Sequence, residues 1–109
     1  MATFLCVLRG GDTSKLSKEA SAAHMQQWGA YMQEHQQTGA YLGGAPLKAL
    51  GAQVSSDEVV KEPAGKGKRR ISGYMLLEAR TLVSATKIAK SCPILSVGGT
   101  VEVRPIQPM

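Results

Sequence analysis

Two rhythms of apolar spacing run along this chain. The run TFLCVLRG (Thr3 to Gly10) is dense in large apolar side chains and stops at Gly10 and Gly11, which predicts a buried first strand. Between Lys18 and Thr38 there is no proline, Ser17 stands in the N-cap position, Glu19 suits the positive end of the helix dipole, and Gly39 follows as a C′ residue. That stretch predicts an amphipathic helix ~31 Å long. Ala22, Met25, Gly29, Met32 and Gln36 share one side of it, with Trp28 beside them, and this side is expected to pack. Glycine inside a helix costs about 1 kcal/mol relative to alanine, so Gly29 on the packed side predicts close approach to a sheet.

AYLGGAPL (Ala40 to Leu47) predicts a second strand that closes on Gly43, Gly44 and Pro46, and GAQVSSDEVVKE predicts a hairpin about Ser56 and Asp57. ISGYMLLEA (Ile71 to Ala79) is almost continuously apolar and is expected mid-sheet, covered on both faces. Leu82, Ala85, Ile88, Ala89 and Cys92 recur at three and four, predicting a helix over Thr81 to Pro93 that Pro93 ends. In GTVEVRPI, Val101 and Val103 point one way and Glu102 and Arg104 the other, and Pro105 marks an edge or a bulge. GGAP and SVGG read as turns, since neither is followed by a helix that would aim its amides at a phosphate.

The order is β-α-β-β(-β)-α-β, an α+β chain of the ferredoxin-like, split βαβ kind with an antiparallel sheet. Helices then lie on one face only. The other face needs cover, and a second copy of the chain supplies it, so a homodimer of single-domain subunits (residues 1–109) is expected.

Composition narrows this picture slightly. No apolar run approaches the roughly 20 residues of a membrane span. MATFLCVLRGGD lacks the basic start of a signal peptide, so a cytoplasmic protein is expected. Cys6 and Cys92 stand alone and read as buried small hydrophobes in a reducing compartment. Net charge is +5, and four of the 13 basic residues fall in the run Lys66 to Arg70. That run fits no Walker loop and has no interleaved aromatics for base stacking. It reads first as a solvated connection, with a cleft rim that attracts anions and a nucleic-acid contact as alternatives; nucleic acid is not an expected partner.

Candidate chemistry is sparse. His24, Trp28, Tyr31 and His35 form a stripe beside the apolar side of the first helix, either a pocket wall holding a base or a half-covered flank. The two histidines lie ~16 Å apart on that helix, so they cannot chelate one ion, and no metal or cofactor is expected. Glu102 and Arg104 are either a base and an anion-gripping fork inside a cleft, or a surface ion pair worth under about 1 kcal/mol. No nucleophile elbow surrounds Ser14, Ser17 or Ser21.

YMLLEA, a helix ending SCP, a glycine-rich turn and GTVEVRPI resemble the C-terminal half of YCII-related proteins of the DGPF subgroup. In those, G-(F/Y)-Y-L-I-E-A, a helix finishing in CP and a strand SVEVRP follow in this order. TGAYLGGAPL resembles the family's AGVLVAGEGL, and the resemblance spans residues 3 to 106. The family signature TDGPFAETKEQLGG falls without gaps on VKEPAGKGKRRISG. Lys61 then replaces the signature's Asp, Glu62 its Gly and Ala64 its Phe, while Pro63 and Lys68 match.

The resemblance implies a dimeric α/β barrel with a sheet–helix cleft in each subunit. Ligand-binding candidates there are Trp28, Lys61, Pro63, Lys68 and Arg104, and catalytic candidates are His24 and Glu102. Some YCII-type members use a His-Asp pair. Here His24 falls about one turn early, and Gln36, Gln37 and Thr38 stand where the acid is sought, so the pair is not carried over. Two readings stay open. One is a homodimer binding a small anionic molecule, with or without turnover. The other is a non-catalytic binding or regulatory module, in line with the transcription-initiation label that some relatives carry.

Overall fold

The first strand, β1 (Ala2–Arg9), buries Phe4, Cys6 and Leu8 and leaves the intervening side chains half-covered. In the computed structural model, which describes residues 1–61 and 69–108, β1 lies inside a four-stranded sheet. The remaining elements are α1 (Lys18–Gln37), β2 (Tyr41–Pro46), β3 (Ala52–Val54), β4 (Val59–Lys61), β5 (Ile71–Ala79), α2 (Leu82–Ala89), a 3-10 helix (Pro93–Val97) and β6 (Thr100–Pro105). The sheet order is β2-β5-β1-β6, every neighbouring pair is antiparallel, and β3 and β4 form a separate hairpin. This is the expected ferredoxin-like α+β architecture.

Register decides where the core sits. Phe4 pairs with Leu77 and Cys6 with Met75, while Cys6 and Leu8 face Val103 and Val101 across the other ladder. Residues two apart share a face, so Phe4, Cys6, Leu8, Met75, Leu77 and Ala79 line the side beneath the helices. Both cysteines are buried and free. β5 is covered on that side alone: Tyr74 is exposed and Leu76 half-buried, which corrects the expectation of cover on both faces. Leu5, Val7, Tyr74 and Leu76 therefore make an apolar outer face. Among the described residues no helix is long and apolar enough to cross a membrane.

α1 begins and ends as expected: the Ser17 hydroxyl accepts from the Ala20 N–H at 3.1 Å, and Gly39 takes φ 81° beyond Thr38. Its orientation differs. Tyr31 is the buried residue of α1, flanked by half-buried His24, Trp28 and His35, whereas Ala22, Met25, Gly29 and Gln36 are exposed. A Cβ on Gly29 would meet nothing within 4 Å, so the expected approach to a sheet is absent. The long aromatic side chains, not the small ones, bridge the gap to the body.

α2 is shorter than its apolar period predicts. Thr81 caps it, accepting from the Ser84 N–H at 3.1 Å, and Ala85 and Ala89 are buried, but Leu82 is exposed. The helix ends at Ala89, and Pro93 opens the 3-10 helix, with Ile94 buried and Gly98 closing it at φ 84°. GGAP corrects the turn expectation, for it lies within β2. A Cβ on Gly44 would sit 2.5 Å from the Tyr74 carbonyl oxygen and 2.9 Å from the Met75 Cα, so only glycine allows this approach of strands.

Candidate functional site

Because α1 rests on the body through Tyr31, its first turns stand off the sheet. The gap is a cleft of about 380 Å³, within the range of small-molecule sites. Met25, Trp28 and Met32 form the helix wall, and Tyr41, Gly44 and Met75 form part of the sheet floor. The 3-10 helix closes one side with Ile94 and Val97, while Gly10, Gly11 and Thr13 rim the end of β1. Three thioethers beside an indole and a phenol make a polarizable, adaptable lining that favours flat apolar rings.

Arg70 is the charged residue of the described lining. Its main-chain carbonyl accepts from the Gly10 N–H at 2.8 Å, which joins the start of β5 to the end of β1. Nearby Asp12 is held below the usual carboxylate range, first by the Ser14 hydroxyl (2.5 Å) and then by the Ser14 N–H (2.9 Å), with smaller contributions from Lys15 and Arg70. It remains ionised, accepting from Ser14. Burial, with Tyr74 and Cys92 adding to it, raises Tyr41 above the ordinary phenol range, so this lining residue carries a neutral hydroxyl.

The aromatic stripe of α1 is a relay of contacts. The Trp28 indole N–H donates to His24 Nε2 at 3.2 Å. Trp28 meets Tyr31 edge-to-face at 6.0 Å, and Tyr31 meets His35 at 4.6 Å. Burial drives Tyr31 well above the ordinary phenol range, and its hydroxyl donates to the Ile88 carbonyl at 2.9 Å. Trp28 thus lines the cleft, and His24 stands one hydrogen bond behind it, outside the lining.

The other candidates are dispersed. Glu102 and Arg104 lie on the outer sheet face, away from the cleft, where Glu102 pairs with Arg9 at 3.7 Å and Arg104 at 3.6 Å. Lys61 is exposed at the end of β4. Pro63 and Lys68, with the rest of the signature segment 62–68, lie outside the described residues. Of the basic run, Arg70 is the described member that reaches the cleft. No group of three or more His, Cys, Asp or Glu side chains that could hold a metal ion occurs among the described residues.

The fold and this cleft define a ferredoxin-like α+β protein with a concave site between sheet and helix. The chain belongs to the YCII-related family, whose YCII-related domain matches residues 2–109. No curated protein matches the sequence. Among solved structures, the chain is similar to 5-chloro-2-hydroxyhydroquinone dehydrochlorinase from Burkholderia phenoliruptrix, determined in complex with 2,5-dihydroxybenzoquinone. The TM-score is 0.57 at 16% identity, over 98% of this chain and 95% of that one, a likeness of fold.

Proposed function

We propose that this protein is a homodimer that binds a small, flat, anionic molecule in each sheet–helix cleft. The observation that carries the ligand is the cleft itself, an apolar, sulfur-rich slot with one charged residue, Arg70, in its described lining. An aromatic ring would lie between the Trp28–Met32 wall and the Met75–Gly44 floor, its negative group on Arg70. The enzyme of similar fold was solved in complex with 2,5-dihydroxybenzoquinone, a small flat ring, which agrees with the reading.

Binding rather than turnover is what the geometry favours. The described lining carries no carboxylate or imidazole to move a proton. A second reading, turnover with His24 as base, draws on its place behind Trp28; it requires the indole to give up its hydrogen bond.

The sheet itself supports the dimer, for among the described residues the helices pack on one face only. The apolar outer face of Leu5, Val7, Tyr74 and Leu76 is the part of the sheet that most needs cover.

Trp28, the sole tryptophan, is a built-in reporter. Titration with aromatic carboxylates and phenolates, followed by Trp28 fluorescence and thermal shift, tests the reading. A ligand at 100 times its Kd adds about 2.7 kcal/mol of stability, and Arg70→Ala is expected to weaken it about tenfold. If no compound of either class changes the fluorescence or the melting temperature, the ligand reading fails.

A further inference from the structure

The β3–β4 hairpin has no core of its own. Val54 pairs with Val59 across it, yet these side chains are 73% and 60% exposed. Leu50, in the connection that leads into it, is 72% exposed. A two-stranded hairpin alone in water is marginally stable at best. The tip is nevertheless well formed: the Ser55 N–H donates to the Glu58 carbonyl at 2.8 Å, and the Glu58 N–H donates to the Ser55 hydroxyl at 3.2 Å. It presents Asp57 and Glu58, neither ion-paired among the described residues, on a chain of net charge +5.

The complement lies at the opposite edge of the sheet. On the outer face, the single carboxylate of Glu102 serves two guanidiniums, those of Arg9 and Arg104. That trio is one negative charge short, and the Arg104 side chain is 71% exposed. β2 and β6 are the two edges of the sheet, and the hairpin follows β2 in sequence. A two-fold axis running along the strands stacks the β2 edge of one copy over the β6 edge of the other.

We propose that the hairpin is a reciprocal clasp, an inference that rests on the homodimer reading above. Each copy lays Val54 and Val59 against the apolar outer face of its twin and sets the Asp57–Glu58 tip on Arg104 of that twin. A second copy is the occupant because one chain carries both the acidic tip and the basic rim, and an interface between identical copies across a two-fold must be self-complementary. The contact places like charges together when either side is reversed, and restores attraction when both are.

Sedimentation equilibrium over a range of concentrations and salt tests this, with circular dichroism confirming that each variant is folded. The Asp57→Lys/Glu58→Lys double variant and Arg104→Glu are each expected to weaken dimerisation about tenfold or more. An equimolar mixture of the two is expected to form heterodimers of near wild-type affinity, since both clasps are then attractive. A wild-type dimer that neither variant weakens overturns the clasp and leaves the dimer standing. Weakening without recovery in the mixture overturns the pairing of tip with Arg104. A wild type that sediments at 11.5 kDa at every concentration overturns the dimer reading and the clasp with it.

Discussion

The Tyr31 hydroxyl donates to the main-chain carbonyl of Ile88 at 2.9 Å, and this bond joins the two helices above the core. The same carbonyl also accepts from the Ser91 hydroxyl at 3.0 Å and from the Ser91 N–H at 3.3 Å. Tyr31→Phe therefore leaves Ile88 with other donors, and the expected loss is at the low end for a hydrogen bond, about 0.5 to 1 kcal/mol. Tyr31→Ala removes a buried ring and is expected to cost about 3 to 5 kcal/mol. Urea denaturation of the two variants measures both, and equal losses would show that the hydroxyl rather than the ring anchors α1.

Two glycines are expected to respond with opposite signs. Gly29 lies in an exposed helix interior with open space where a Cβ would go, so Gly29→Ala is expected to stabilise by up to about 1 kcal/mol. At Gly44 the Cβ would run into the main chain of β5, and Gly44→Ala is expected to destabilise by about 1 to 3 kcal/mol. Thermal melts of the pair check the signs directly.

Burial pushes the Cys6 thiol from 9.0 up to about 11, with Cys92 adding to the rise, and burial raises Cys92 too. A raised folded-state value means that the unfolded chain gives up its proton first as pH rises. The contribution of Cys6, on the order of 2 to 3 kcal/mol, is complete below pH 9.0 and is lost as pH climbs through about 11. Tyr31, raised for the same reason, acts in the same direction. Denaturant midpoints are expected to fall across that window, and both thiols are expected to resist a thiol reagent at neutral pH until the chain unfolds. Prompt modification of the native protein would contradict the burial of both sulfurs.

His24 accepts the Trp28 indole proton, so its effect on the cleft is expected to pass through the orientation of that ring. His24→Leu removes the acceptor, and the Trp28 emission is expected to shift to longer wavelength as the indole swings toward solvent. His24→Gln retains an acceptor and is expected to stay near the wild type. Identical spectra for both variants would mean that packing alone holds the indole.

Much of the scaffold was legible in the sequence because it depends on local rules. Ser17 and Gly39 announce the limits of α1, Ser56 and Asp57 the hairpin tip, and the alternation Val101–Arg104 the two faces of β6. The packed side of α1 is not legible in the same way. Met25 and Met32 have the spacing of packing residues, but an apolar wall beside an open cleft has the same periodicity as an apolar wall beside a core. Arg70 was visible only as part of a basic run; its place at the cleft depends on the Gly10–Arg70 bond between distant segments. The 3-10 helix after Pro93 likewise escaped, since short turns of this kind carry little period to detect.

The uneven seating of α1 has an evolutionary corollary. Its anchor, Tyr31, stands in the C-terminal half of the helix, while Met25 near its start is 68% exposed. Under the proposed function, replacements in those early turns would alter what the cleft accepts while scarcely taxing foldedness. Selection would then retune the slot, through Met25 above all, without passing through unstable ancestors.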